Sequence, residues 1–184
     1  YDEKTLILHE PEKFKPRRSY TPINIQILNS KPYLKAQILQ QNGTILDAML
    51  MVDTGASHPL LLQLLENSAV ALPTKTLPSF LGKGLGGEIP GHLGRVIKLK
   101  LGPYTFDNVI ASYPEEDVYN RVEVNGRIGT IGGEILTRFN PIFDYFNNTL
   151  YLRKSRKYGK PFQHDMSGME FIAFGKSLDK IVVT

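Results

Sequence analysis

The chain has 184 residues, 41% of them hydrophobic and 22% charged, the balance of one globular domain with a core of its own. It has no cysteine, which removes disulfides, thiolate metal sites and cysteine nucleophiles, and no apolar run approaches the roughly 18 residues a membrane-crossing helix needs. The formal charge of +4 gathers in EKFKPRRSY (12–20) and RKSRKYGK (153–160). A nucleic-acid surface would set aromatics among such patches on one face. Solvated flanking segments are the simpler reading, and no nucleic-acid partner is expected. Because the first residue is Tyr1 rather than Met, we expect a mature form or an excised fragment.

In chain order, residues 1–19 read as an N-terminal extension. INIQIL (23–28) alternates apolar and polar residues as a strand does, and YLKAQIL (33–39) does so loosely. Asn42-Gly43 then separates two apolar runs, a strong hairpin cue, and predicts strands at about 33–40 and 45–52. PLLLQLLENSA (59–69) is predicted to be a short helix. VIKLKLG (96–102) alternates, YTFDNVIASY continues the sheet, and TLYLRK follows the turn signal Asn147-Asn148. Past Lys154 the chain turns polar and rich in breakers before MEFIAF and KIVVT, and we expect 156–184 to be a linker and the first strand of a further domain. Many short strands with glycine turns predict a mostly β, closed or folded-over domain with one or two short helices.

The chemistry concentrates at MLMVDTGASHPLLL (49–62). Four apolar residues deliver a carboxylate, Asp53, to the end of a buried-looking strand, where a charge is costly unless it is paired, hydrogen-bonded or used. Gly55 lets the backbone turn beside the acid, and the hydroxyls of Thr54 and Ser57 are expected to donate hydrogen bonds that lock the loop and the carboxylate, with Ala56 between them. Two carboxylates a few ångströms apart could activate water and protonate a carbonyl, because like charges so close cannot both ionise.

Asp53, Thr54, Gly55, Ala56 and Ser57 resemble the signature of aspartic proteases. GTIGGEILTRF, about 75 residues downstream, resembles the apolar-apolar-Gly segment and short helix of retropepsins, and NPIFDYFNNTLYL (140–152) resembles the closing hairpin of a pepsin or retropepsin half-barrel. The resemblance covers roughly residues 20–155 and implies a retropepsin-like β-barrel lobe. FQHDMSGMEF is similar to the connector of bacterial aspartyl proteases that carry a C-terminal PDZ domain, which implies an exported protein, periplasmic or associated with the cell surface.

That resemblance implies an endopeptidase of peptides or proteins, with no metal or cofactor. Only one Asp-Thr-Gly is present: Asp47, Asp107, Asp117 and Asp144 lack the following Thr/Ser-Gly. The dyad is therefore expected from two chains, Asp53 facing Asp53 in a homodimer. GKGLGGEIPGHLG (82–94) corresponds to the substrate-covering flap, centred on Gly84, Leu85, Gly86 and Gly87. Its formal G-x-G-x-x-G at Gly82, Gly84 and Gly87 runs into Glu88, Ile89 and Pro90, poor material for the helix a dinucleotide site requires. The four histidines, His9, His58, His92 and His164, form no metal pattern, and no Gly-x-Ser-x-Gly elbow is present. The alternative is a peptide-binding or adaptor module that keeps the fold without hydrolysis.

Overall fold

In the computed structural model, residues 5–65, 69–84, 87–115, 126–164, 171–174 and 180–183 are described. The first five strands are β1 (Thr21–Leu28), β2 (Lys31–Leu39), β3 (Ile45–Val52), β4 (Leu60–Leu62) and β5 (Leu77–Gly84). The chain continues with β6 (Gly87–Leu101), β7 (Tyr104–Pro114), β8 (Arg127–Ile131), the helix α1 (Gly133–Leu136), β9 (Phe139–Asp144) and β10 (Thr149–Lys154). A separate antiparallel pair, β11 (Phe171–Phe174) and β12 (Lys180–Val183), completes the described elements. The expectation of a mostly β chain holds, with one helix of four residues among the described residues.

The turns follow from local chemistry. Asn29 and Ser30 both take positive φ (49° and 62°), the conformation that lets a two-residue turn match the twist of β1 and β2. At the second hairpin Gly43 sits at φ 83°, and the Asn42 side chain accepts a hydrogen bond from the Thr44 amide. These contacts fix the register in which Leu34, Ala36 and Ile38 point inward opposite Leu50, Ala48 and Leu46.

Strand order in the ten-stranded sheet is β5-β6-β7-β4-β8-β3-β2-β1-β10-β9, and β6 also pairs with β2. That extra pairing closes β2, β3, β8, β4, β7 and β6 into a barrel, leaving β1, β10 and β9 as a flank and β5 as the outer arm of a hairpin. Ile38, Leu50, Leu60, Leu62, Val96, Leu99, Val109, Ile131 and Ile135 fill the interior and are fully buried. Beyond β10, residues 155–162 run back over the barrel, and Phe162 is buried in its core cluster.

The helix expected at 59–69 is not formed over its described residues. Leu60, Leu61 and Leu62 make a strand buried on both faces, parallel to β7 and antiparallel to β8. A short, continuous apolar run carries no periodicity that separates a buried helix from a buried strand, and here tertiary pairing decides.

β8 lies between β3, with which it is parallel, and β4, with which it is antiparallel. Glycine makes this threading possible. A Cβ on Gly129 would lie 2.1 Å from the Leu61 carbonyl oxygen, and one on Gly132 would lie 2.0 Å from that of His58. Both distances are far inside any tolerable contact, and the obstacle is backbone rather than a movable side chain. We therefore expect Gly129→Ala to destabilise the protein by more than about 3 kcal/mol or to prevent folding. Gly159→Ala, where a Cβ meets nothing within 4 Å, should change urea-unfolding stability by less than about 0.5 kcal/mol. Equal midpoints for the two variants would refute this account of the β8 crossing.

Candidate active site

Asp53 leaves the end of β3 with its amide donating to the Ile131 carbonyl at 2.9 Å, which carries the β3–β8 pairing one residue past the strand. The chain then turns, and the Gly55 amide donates to Asp53 Oδ1 at 2.8 Å. A Cβ on Gly55 would stand 3.3 Å from that same oxygen, so the glycine both donates to the carboxylate and leaves it room. The Asp53 side chain is half-buried and Thr54, Gly55 and Ser57 are exposed. A carboxylate in this position is fixed in direction yet open on one side.

The rest of the loop is held from below. Gly133 N donates to the Ala56 carbonyl at 2.6 Å, and Gly132 N donates to that of Pro59 at 3.1 Å. Cβ atoms on Gly132 and Gly133 would lie 3.1 Å and 2.9 Å from the Ala56 oxygen. The Gly-Gly pair therefore forms a flat floor beneath residues 56–59. The expected locking of the carboxylate by Thr54 and Ser57 hydroxyls is absent among the described residues. The Gly55 amide holds the carboxylate, and Thr54 and Ser57 are exposed.

His58 is half-buried beside this loop. Its Nε2 is shielded from solvent and meets no hydrogen-bond partner among the described residues. Burial lowers its pKa below the ordinary 6.5; the Asp53 carboxylate opposes that shift and the Arg127 guanidinium adds to it. Sequence reasoning missed Arg127. Buried at the start of β8, it donates from Nε to the Gly129 carbonyl at 3.1 Å and from a terminal nitrogen to Thr130 Oγ1 at 2.7 Å. Its only signal was an arginine directly before an apolar, glycine-punctuated strand.

Gly84 and Gly87 face one another across the β5–β6 hairpin. Leu85 and Gly86, the other two residues of the expected flap, lie outside the described residues. Gly87 opens a strand rather than a helix, which disposes of the dinucleotide pattern at Gly82, Gly84 and Gly87. Among the described residues, no three His, Cys, Asp or Glu side chains gather as a metal site would require.

The sequence model for aspartyl proteases matches residues 35–135, a span that runs from β2 through the Asp53 loop and β8 to α1. The chain belongs to the aspartyl protease family. Among solved structures it is similar to a retropepsin-like aspartic protease from Rickettsia conorii, at 19% identity and a TM-score of 0.49, over 72% of this chain and 89% of that one. No curated protein matches. The half-exposed Asp53 carboxylate at the β3 exit and the glycine pair under its loop both lie within the matched span.

The His58 imidazole gives a test of this packing. Its folded pKa lies below its unfolded value, so the stability that comes from keeping it neutral is complete above about pH 6.5 and is lost as pH falls towards the folded pKa. We expect thermal stability of the wild-type protein to fall more between pH 7.5 and pH 4.5 than that of His58→Phe. Parallel melting-temperature profiles for the two proteins would show that His58 is not held neutral by its surroundings.

Proposed function

We propose that the chain is an endopeptidase whose working unit is a twofold dimer, with one Asp53 from each copy forming the catalytic pair. The observation that carries this reading is the Asp53 carboxylate itself, fixed by the Gly55 amide at the exit of β3 and open to one side. One Asp-Thr-Gly per chain leaves each copy with half of a dyad.

In the proposed reaction a water lies between the two carboxylates, one ionised and one protonated. The ionised carboxylate takes a proton as the water oxygen bonds to the scissile carbonyl carbon, while the protonated one gives its proton to the carbonyl oxygen. The resulting gem-diol collapses as one hydroxyl returns its proton to a carboxylate and the amide nitrogen is protonated. The C–N bond breaks, leaving a carboxylic acid and an amine. The β5–β6 hairpin, with Gly84 and Gly87 near its tip, would cover the bound peptide, where the small residues allow backbone amides close to the substrate backbone. The similarity of FQHDMSGMEF to the connector of PDZ-bearing bacterial proteases extends the reading to an exported protein whose PDZ domain follows this one.

Asp53→Asn should keep its far-ultraviolet circular dichroism and lose at least about 10³-fold in turnover of a peptide library, since an amide cannot alternate between acid and base. Wild-type activity should describe a bell weighted to acidic pH. Mixing wild type with an equal amount of Asp53→Asn, at concentrations where both dimerise, should halve activity per wild-type chain by random pairing. Activity per wild-type chain that ignores the added variant would mean that a monomer works alone. Folded Asp53→Asn with full turnover would sink the catalytic assignment.

A further inference from the structure

The segment after β10 is fastened to the barrel by one buried cation. Arg138, 3% exposed, lies just beyond α1 with its guanidinium stacked 3.6 Å over the Phe162 ring. One terminal nitrogen donates to the Lys160 carbonyl and, at 3.4 Å, to those of Lys157 and Tyr158; the other donates to Glu134 Oε1 at 3.2 Å and to the Pro161 carbonyl at 3.5 Å. Several of these contacts are long, but together they surround a planar cation with oxygens and an aromatic face. Lysine could not reproduce that arrangement. Ser155 adds a hydroxyl bond to the Thr137 carbonyl at 2.8 Å and an amide bond to that of Arg138 at 2.9 Å. Tyr158 rests edge-on against Tyr104 and Phe139, and Phe162 against Phe106.

The other end of this clamp reaches the catalytic loop. Glu134, which receives Arg138, belongs to α1, and the Gly133 amide at the start of α1 holds the Ala56 carbonyl three residues after Asp53. The Thr137 amide returns to the Gly133 carbonyl at 2.7 Å, so the short helix is a single hydrogen-bonded turn with the clamp on one end and the loop on the other. We infer that Arg138 is a positioning residue: by fastening residues 155–162 to α1 it fixes the Gly133–Ala56 contact and with it the direction of the Asp53 carboxylate. The strap is held by its carbonyls and by Ser155, Tyr158 and Phe162, whereas Arg156, Lys157 and Lys160 are exposed.

The activity arm of the test rests on the endopeptidase reading; the exchange arm does not. Arg138→Lys, Phe162→Ala and the double variant are compared with wild type in the full chain, with Lys157→Ala as the strap control. We expect kcat to fall about tenfold in each single variant with KM within about twofold, and the double variant to be no worse than the poorer single, because the two side chains act as one clamp. By hydrogen exchange, the Gly132 and Gly133 amides should lose about tenfold in protection while the amides of β2 keep theirs. Lys157→Ala should match wild type in both readouts. Uniform loss of protection across β2 and Gly133 would reduce Arg138 to a stabilising residue and overturn the proposal. Unchanged Gly133 exchange in Phe162→Ala, which removes the stacking face but leaves the guanidinium, would overturn it as well. If wild type cleaves no peptide, the endopeptidase reading fails, and selective exposure of Gly133 still decides whether the clamp exists.

Discussion

Backbone lies directly on backbone where the Asp53 loop meets residues 129–133, and the rest of the molecule is arranged to permit that contact. β8 must pass between β3 and β4, and residues 56–61 must cross it with carbonyl oxygens where side chains would otherwise stand. Packing at this density leaves no room for adjustment by even one methyl group. The barrel is therefore more than a container for the site. Closing β6 onto β2 completes the barrel, and the leucine-rich β4 strand that follows the loop is buried on both faces between β7 and β8.

The same geometry sets up opposed demands at one end of the barrel. The catalytic pair proposed for Asp53 would favour acid, whereas the neutral His58 packed beside the loop favours higher pH for folding. Arg127 sharpens that demand, because a second cation nearby disfavours protonating the imidazole and so widens the gap from its unfolded pKa. Acidity would then raise the fraction of productive carboxylate pairs while eroding the packing that aims them. The acid limb of the activity profile would thus carry a contribution from stability as well as from chemistry.

Much of this was legible in the sequence because it rests on local rules. Asn42-Gly43 marked a hairpin, the alternation in 23–28 and 96–102 marked half-buried strands, and the apolar run into Asp53 marked the loop. Three things were hidden, each for a physical reason. Leu60–Leu62 lacks periodicity because both its faces are buried, so its strand state depends on partners far away in the chain. The Thr54 and Ser57 hydroxyls offered an obvious way to hold the carboxylate, but the partner it finds is the backbone amide of Gly55, which needs no side-chain ordering. Residues 155–162 read as basic and broken, since a segment can be anchored by two aromatic rings and its own carbonyls without any apolar pattern.

Residues 129–133 present a difficulty that the two buried arginines help to resolve. Three of the five residues are glycine, the residue that loses most conformational freedom on folding, so the segment under the catalytic loop is by composition the least inclined to hold one shape. Arg127 stands just before it and Arg138 just after α1, both nearly excluded from water. Burying a guanidinium costs several kcal/mol unless its donors are satisfied. Arg127 meets a carbonyl and a hydroxyl, and Arg138 meets carbonyls, one carboxylate and a ring, its Nε alone finding no partner among the described residues. Apolar residues of similar volume could fill these positions, but they would supply no directional contacts to backbone. A forked cation braces the segment at each end, Arg127 through the segment's own Gly129 carbonyl and Thr130 hydroxyl, and Arg138 through Glu134 and the carbonyls of residues 157–161. The close approach that glycine alone allows is in this way kept from becoming freedom of the loop it supports.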